Sequence, residues 1–465
     1  MNIILTSALS GILFMFSGFV LKDKRHLNIL AVVLFIAMII SGIFQLQGCE
    51  IMQGKYPNMI ETDPYRISFF ILLCLIGIYY TLVNRYNFSK PGSQVSDYFA
   101  LIFISFVGIA VLSTFNNLLL MFLGIEILSI PLYALAGSAK HKMRSTEAAV
   151  KYFLMGAFST GVMLMGIALI YGASGSFMLK SIITYAFDFQ SIYYLGWILL
   201  VLSMCFKVSV APMHFWAPDV YDGTPTVFSS YMITIVKGAG FMTFITVMSA
   251  FKITSEIVAH NYQYLLSFII ILTLILGNFS ALKQTSVKRM LAYSSVVQAG
   301  FMLFALFEIS AESKYALLFY TVSYGLASII LFYALTQVKD VSYKGFNGLS
   351  KRSPLLAFAS TVALLSLSGI PFTSGFLAKF FILSSAMKEP SNLILIIAAL
   401  VLAVLSIYYY IKVIIAMYFR GASNKKKIQL SFLTKVLLIL GIVLTVALGV
   451  YPDLLKMLLN CLTNV

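Results

Sequence analysis

The chain of 465 residues is 60% hydrophobic and only 10% charged, with a formal net charge of +16. Soluble domains carry about 25% charged residues, so the composition excludes a soluble enzyme or regulator and marks an integral membrane protein. The basic excess would suit a nucleic-acid binder, but it is scattered over short segments between apolar runs and reads as a membrane-topology signal.

About 20 apolar residues cross a hydrocarbon layer of about 30 Å. On that scale about fourteen spans are expected, near 3–21, 27–46, 66–84, 97–114, 117–137, 149–171, 192–213, 227–250, 262–281, 290–307, 314–337, 354–386 (interrupted), 391–418 and 430–450. The first apolar run has no charged segment before it and no cleavage site, so it is expected to be a span and not a removed signal. Basic clusters follow the odd-numbered spans: Lys22, Lys24 and Arg25; Arg85 and Lys90; Lys140, Lys142 and Arg144; Lys283, Lys288 and Arg289; Lys339, Lys344, Lys351 and Arg352; and Arg420, Lys425, Lys426 and Lys427. The loops after even-numbered spans hold acids such as Glu50, Glu61, Asp63, Asp188, Glu256, Glu308 and Glu312. This alternation puts the basic loops in the cytoplasm and both termini outside.

No linker divides the chain, so residues 1–465 are expected to form a single membrane domain, an all-α polytopic bundle. Two spans carry proline and glycine in their middles: span 7 around Pro212, and span 12 from Gly369 through Pro371 to Gly375. Proline removes a backbone donor, and broken helices survive in lipid only where protein or a water cavity satisfies the freed groups. The two breaks lie five spans apart. That spacing predicts two inverted five-helix repeats, spans 4–8 (97–250) and spans 9–13 (262–418), with the transport pathway at the broken helices, and the plainer alternative is proline kinks that serve packing only.

Ionisable residues inside apolar runs are costly, about 2.5–3.5 kcal/mol each at the bilayer centre, and so mark function. Glu126 is the one acid deep in an apolar helix, and Lys207, Lys237 and Lys379 sit inside other spans. Burial disfavours a charged amine and a nearby carboxylate favours it, so a lysine that meets or leaves Glu126 is a workable proton switch. A static ion pair is the plainer alternative, although buried pairs add little stability over apolar residues. Lys151, after the capping-like Ser145-Thr146-Glu147, is either an inward member of the series or a lysine snorkelling to the interface. Lys412 is a candidate to extend the path beyond Lys379, with Tyr408, Tyr409 and Tyr410 beside it either hydrogen-bonding the amine or only packing. His214, at the end of the broken half of span 7, is a further proton-transfer candidate beside a packing or capping role, and with no second histidine near it no metal is expected. Asp219 and Asp222 are expected to shape a tight turn with Pro218, Gly223 and Pro225, and the alternative is that they lead protons inward. Cys49, Cys74, Cys205 and Cys461 are scattered, with no CxxC pair, and there is no GxGxxG or P-loop motif. No metal, iron–sulfur or nucleotide site is therefore expected in this chain.

The segment FKVSVAPMHFWAPDVYDGTPTVFSSYMITIVKGAGF resembles the signature of the antiporter-like membrane subunits of respiratory complex I. GNFSALKQTSVKRMLAYSSVVQAGFM and LSGIPFTSGFLAKFFIL are similar to two further blocks of that family, and with NLLLMFLGIEILSIPLYALAG they cover about 117–386. The resemblance implies fourteen core helices with inverted repeats at spans 4–8 and 9–13. It matches Glu126 to the family's span-5 glutamate, Lys207 to its broken-helix lysine, Lys237 to its central lysine, Lys379 to its output-half residue and Lys151 to a span-6 lysine. Two other large members of the family usually carry Glu where this chain has Lys379. Where the AYSS block usually continues to a histidine, this chain has Gln298, which hydrogen-bonds but takes no proton at neutral pH.

The function implied is proton translocation driven by quinone reduction in partner subunits. NADH, FMN, iron–sulfur clusters and quinone would be bound by those subunits, and no cofactor by this one. Expected partners are paralogous antiporter-like subunits, small membrane subunits and lipid, in a bacterial inner membrane, with no nucleic acid. The alternative from the same resemblance is a subunit of an Mrp-type cation/proton antiporter without redox input. An assembly scaffold and a solute permease are the remaining classes, and no polar substrate pocket is suggested by the sequence.

Overall fold

The computed structural model describes residues 1–21, 23–51, 59–88, 94–180, 190–251, 256–338, 340–387, 392–421 and 426–463, without the side chains of 190, 256–261 and 460–463. Lys22, Lys90, Asp188, Lys339 and Lys425 lie outside these residues, as do the side chains of Glu256 and Cys461.

The chain is all-helical. Six long helices come first: α1 (Asn2–Val20), α2 (Lys24–Leu46), α3 (Pro64–Phe88), α4 (Val95–Leu112), α5 (Leu118–Ala136) and α6 (Met143–Ser174). Span 7 is α7 (Gln190–Val208), and the short α8 (Trp216–Gly223) lies in the loop that follows it. Span 8 is α9 (Thr226–Tyr231), a π-helical turn (Met232–Val236) and α10 (Lys237–Phe251). Next come α11 (Glu256–Leu282), α12 (Val287–Met302) and α13 (Ala311–Gln337), then two single turns, α14 (Tyr343–Phe346) and α15 (Leu349–Arg352). The interrupted span 12 is α16 (Pro354–Ser368) plus α17 (Ser374–Ala386), followed by α18 (Leu393–Phe419), α19 (Phe432–Val450) and α20 (Asp453–Thr463). Among the described residues, thirteen helices are long and apolar enough to cross a membrane. The shorter pair α16 and α17 supplies the interrupted crossing expected at 354–386.

Loop contacts support the crossing number. The loops after spans 9 and 11 meet at Ser286 and Ser342, and Ile428 N–H donates to Arg352 O at 3.1 Å, joining the loops after spans 11 and 13. At the other end, the loops after spans 2, 4 and 6 meet through Ile60 with Phe115 and Asn117 with Met178. Odd loops thus touch odd loops and even loops touch even, as the alternation of charge requires.

Burial sorts the helices. The membrane windows of α12 and α13 are 89% buried, whereas those of α1, α18 and α19 are 33% buried and face outward. Helices α6 and α7 cross backbone on backbone: a Cβ on Gly166 would lie 2.8 Å from Gly196 O, and a Cβ on Gly196 the same distance from Gly166 O. Small residues permit this approach where lipid provides no hydrophobic drive. The APDVYDGTP segment is not the tight turn expected from its sequence. It forms most of the two-turn helix α8, with Pro218 in the first turn, where no intrahelical donor is needed, and Gly223 in the last. Ser145 does not cap α6 either, because its hydroxyl donates to Ala136 O at 2.6 Å across the α5–α6 corner.

Candidate functional site

The two helix breaks place their lysines alike. Helix α7 ends where Ser209 takes a positive φ of 62°, ahead of a cis Ala211-Pro212 bond. Its terminal groups are satisfied locally: Val210 N–H donates to Cys205 O at 3.0 Å, Trp216 Nε1 donates to Phe206 O at 3.1 Å, and Ala211 N–H donates to Thr273 Oγ1 of α11 at 3.0 Å. Lys207 lies in the last turn of α7. Helix α16 ends in a Schellman closure: Gly369 (φ 83°) donates to Ser366 O at 3.0 Å and Ile370 N–H to Leu365 O at 3.1 Å. That leaves Leu367 O and Ser368 O without helical partners, and the Lys379 amine of α17 takes both, at 2.9 and 3.0 Å. Lys207 precedes its break and Lys379 follows its own, yet both amines sit at the C-terminal, negative end of the first half-helix.

The remaining members sit on the most buried elements. Lys237 opens α10 directly after the π-helical turn, is 1% exposed, and donates to Ser295 O at 2.8 Å and Ser295 Oγ at 3.1 Å on α12. Ser294 and Gln298 stand one turn apart on the same helix. Ser294 Oγ and Tyr410 OH are 2.5 Å apart, Gln298 Nε2 donates to Tyr410 OH at 3.1 Å and to Leu367 O at 3.0 Å, and Tyr320 OH donates to Gln298 Oε1. Leu367 O thereby accepts from both Gln298 and Lys379. A thread of serine, tyrosine and amide groups runs from the Lys237 partner helix to Lys379 through an otherwise apolar core.

On α5, Glu126, Ser129 and Tyr133 recur at helical spacing along one face. No ion pair within 4.0 Å joins Glu126 to Lys207. The Lys207 amine donates to Ser129 Oγ at 3.2 Å, one turn further along, and Glu126 Oε1 is buried without a hydrogen bond. Lys151 is half-exposed and held by Glu147 at 2.7 Å and Asp219 at 3.1 Å, and Asp219 also binds Arg289 at 2.8 Å. The Lys412 amine lies 4.6 Å from the Tyr343 ring centre, while Tyr409 and Tyr410 direct their hydroxyls to Asn278, Ser294 and Gln298. His214 is buried in the corner between α7 and α8, with Nδ1 lacking a hydrogen bond and its ring 4.5 Å from that of Phe215. Among the described residues no cluster of three or more His, Cys, Asp or Glu could hold a metal.

Several contributors were not singled out from sequence. Ser129, Ser295 and Tyr320 are ordinary neutral residues in a chain with 27 tyrosines, and Tyr410 was named only as a neighbour of Lys412. Lys288 counted only as one of a basic loop cluster, yet it is 5% exposed and caps the end of α8, donating to Asp222 O at 2.6 Å and Thr224 O at 2.5 Å.

Asp219 fastens α8 to α6 and α12. Burial alone pushes its carboxyl up, and the Lys151 amine and Arg289 guanidinium more than offset this, holding it below the usual carboxylate range. A carboxylate whose folded-state pKa is depressed adds stability above its unfolded value and loses it as pH falls through the folded one. Asp219→Asn is therefore expected to lower the melting temperature by a constant amount between about pH 5 and about pH 8, with the deficit shrinking below about pH 4. Thermal unfolding of the detergent-solubilised protein across that range checks it.

Comparison with known proteins places this geometry in a family. The family model described as NADH:quinone oxidoreductase/Mrp antiporter, TM, matches residues 115–406. NADH-quinone oxidoreductase subunit N of Cytophaga hutchinsonii is 37% identical over 463 residues, which is 98% of either chain. A chain of respiratory complex I from Thermus thermophilus with bound aureothin is 30% identical, with a TM-score of 0.83 over 97% of this chain and 98% of that one. A chain of the Mrp complex from Dietzia sp. DQ12-45-1b shares the fold alone, at 16% identity and a TM-score of 0.81 over 99% of this chain and 96% of that one. A family match over more than half of the chain, with a relative aligned end to end, settles the assignment: the chain belongs to the NADH:quinone oxidoreductase/Mrp antiporter family of membrane subunits.

Proposed function

We propose that this chain is a proton-translocating membrane-arm subunit of a complex I-type NADH:quinone oxidoreductase. The observation that carries the reading is the series of lysines in the helix core of a chain that aligns with subunit N over 98% of either length, each amine held by neutral oxygens. An ammonium group offers three donors and a neutral amine fewer, so these oxygen cradles orient an amine in either state.

Redox chemistry belongs to partner subunits, where NADH, FMN, iron–sulfur clusters and quinone are bound, and its energy reaches this chain as a conformational or electrostatic push. The push acts on Glu126 and Lys207. Ser129, which holds the Lys207 amine, stands three residues beyond Glu126, about 4.5 Å along the helix axis. A one-turn swing brings the amine from Ser129 to the unpartnered carboxylate. When Lys207 meets Glu126 it reloads a proton, and when it leaves it passes one to Lys237. From Lys237 the proton crosses the Ser295, Ser294, Tyr410 and Gln298 region to Lys379. Gln298 orders this segment without itself carrying charge.

The breaks at α7 and α16, each with an amine at the C-terminal end of the first half-helix, support two inverted repeats over 97–250 and 262–418. Lys151 feeds the path from the Asp219 side, and Lys412 and His214 stand at its margins. The basic loops face the cytoplasm of a bacterial cell and both termini lie outside the inner membrane.

A mild-detergent pull-down of the tagged chain with mass spectrometry of the captured proteins tests this assignment. Iron–sulfur proteins and a quinone-binding helical subunit are the expected companions. Small membrane subunits with no redox protein would overturn it in favour of a cation/proton antiporter.

A further inference from the structure

A second built feature lies far from the lysine series, between α2 and α3 at the basic end of the bundle. It is a cleft of about 780 Å³. Lys24 and Arg25 at the start of α2 and Arg85 at the end of α3 form its rim, with Asp23 as the one acid. Asp23 is already engaged: it accepts from Arg25 N–H at 2.9 Å and its carboxylate lies 3.8 Å from His26. Because α2 leaves the basic face and α3 returns to it, all three cations stand at the same membrane level.

Below the rim the wall is apolar. Ile29 and Val33 are 61% and 52% exposed, and Val32 and Leu82 complete the surface. From Lys24 to Val33 the groove runs nine residues, about 14 Å, which is the depth of one leaflet of hydrocarbon. Two polar side chains interrupt it: Asn28, whose amide donates to Lys24 O at 2.9 Å, and Thr81. Thr81 is 1% exposed, lines the cleft, and its hydroxyl has no hydrogen-bond partner. A buried hydroxyl left unpaired is costly and calls for a partner. Thr81 stands four residues before Arg85, about 6 Å deeper, at the level where the glycerol ester carbonyls of a phospholipid lie under its phosphate.

We propose that the α2–α3 cleft binds one phospholipid with an anionic headgroup. Its phosphate sits among Lys24, Arg25 and Arg85, an ester carbonyl accepts from Thr81 Oγ1, and an acyl chain lies along Val32, Val33 and Leu82. Charge selects the lipid: three cations against one carboxylate reject a zwitterionic headgroup relative to an anionic one. A net excess of two basic groups gives a preference on the order of thirtyfold.

The test uses the intact complex in nanodiscs of equal phosphatidylglycerol and phosphatidylethanolamine. The chain carries Val33→p-benzoylphenylalanine for photo-crosslinking, and adducts are identified by mass. Phosphatidylglycerol adducts should exceed phosphatidylethanolamine adducts by about thirtyfold, and Lys24→Gln with Arg85→Gln should bring the ratio near unity. Thr81→Val, which keeps every charge, should lower the total lipid adduct severalfold at an unchanged lipid ratio. Equal adducts of the two lipids in the parent complex would overturn the proposal, as would crosslinking to a polypeptide, which would assign the cleft to a neighbouring subunit.

Discussion

Replacing Lys379 by methionine is expected to cost both stability and transport. Among the described residues the amine is the only donor to Ser368 O, and it shares Leu367 O with Gln298. Methionine fills the space but leaves Ser368 O unpaired in a buried site, a loss of roughly 1–3 kcal/mol. Removing a buried charge offsets part of that. Transport suffers separately, because a positioned proton carrier contributes on the order of a hundredfold or more to its step. Lys379→Arg divides the two effects. A guanidinium can still cap the carbonyls but does not release its proton at working pH. The arginine variant should recover most of the melting temperature of the assembled complex and little of its proton pumping. If the methionine variant pumps normally, Lys379 is a helix cap and nothing more.

Lys207→Met is expected to leave the complex assembled while pumping falls on the order of a hundredfold. The structural cost is small because Ser129 Oγ keeps a partner of its own, donating to Ile125 O at 2.7 Å. What is lost is the amine held at Ser129, three residues along α5 from Glu126, whose Oε1 is buried without a hydrogen bond. Glu126→Gln should reproduce the transport loss from the other side of the switch. Vesicles containing the purified complex, assayed for donor-driven proton uptake, read both variants. A complex that assembles and pumps at the parental rate would remove Lys207 from the path.

The features legible in the sequence were those that stand out against lipid. Charges inside apolar runs pointed to Glu126, Lys207, Lys237 and Lys379, and Pro212 and the Gly369–Pro371 pair located the helix breaks. The spans followed from length and hydropathy, and the loop contacts agree with their number. The neutral connectors did not show, because a serine or tyrosine on a buried face looks the same in sequence as one that only packs. Ser295, and the bonding of Tyr410 to Ser294 and Gln298 in place of Lys412, became visible only once α12 and α18 were placed against the lysines. Asp219 was misread for a local reason. Pro218 and Gly223 are turn formers by composition, but at the first and last turns of a short helix they are well tolerated. Lys288 was hidden by its company, since a basic loop gives no sign of which member folds inward to cap a helix.

The central claim is that protons pass along the lysine series, and Lys237→Met tests it most directly. Lys237 is nearly fully buried, its two acceptors are both on Ser295, and Ser295 Oγ retains its own bond to Ala292 O at 2.7 Å, so methionine removes the proton carrier with little structural consequence. The measurement is NADH-driven proton uptake by vesicles of the intact complex, normalised to assembled enzyme. The account predicts a drop on the order of a hundredfold that does not depend on whether Na⁺ or K⁺ is the salt cation. Uptake at the parental rate in an assembled Lys237→Met complex would contradict it.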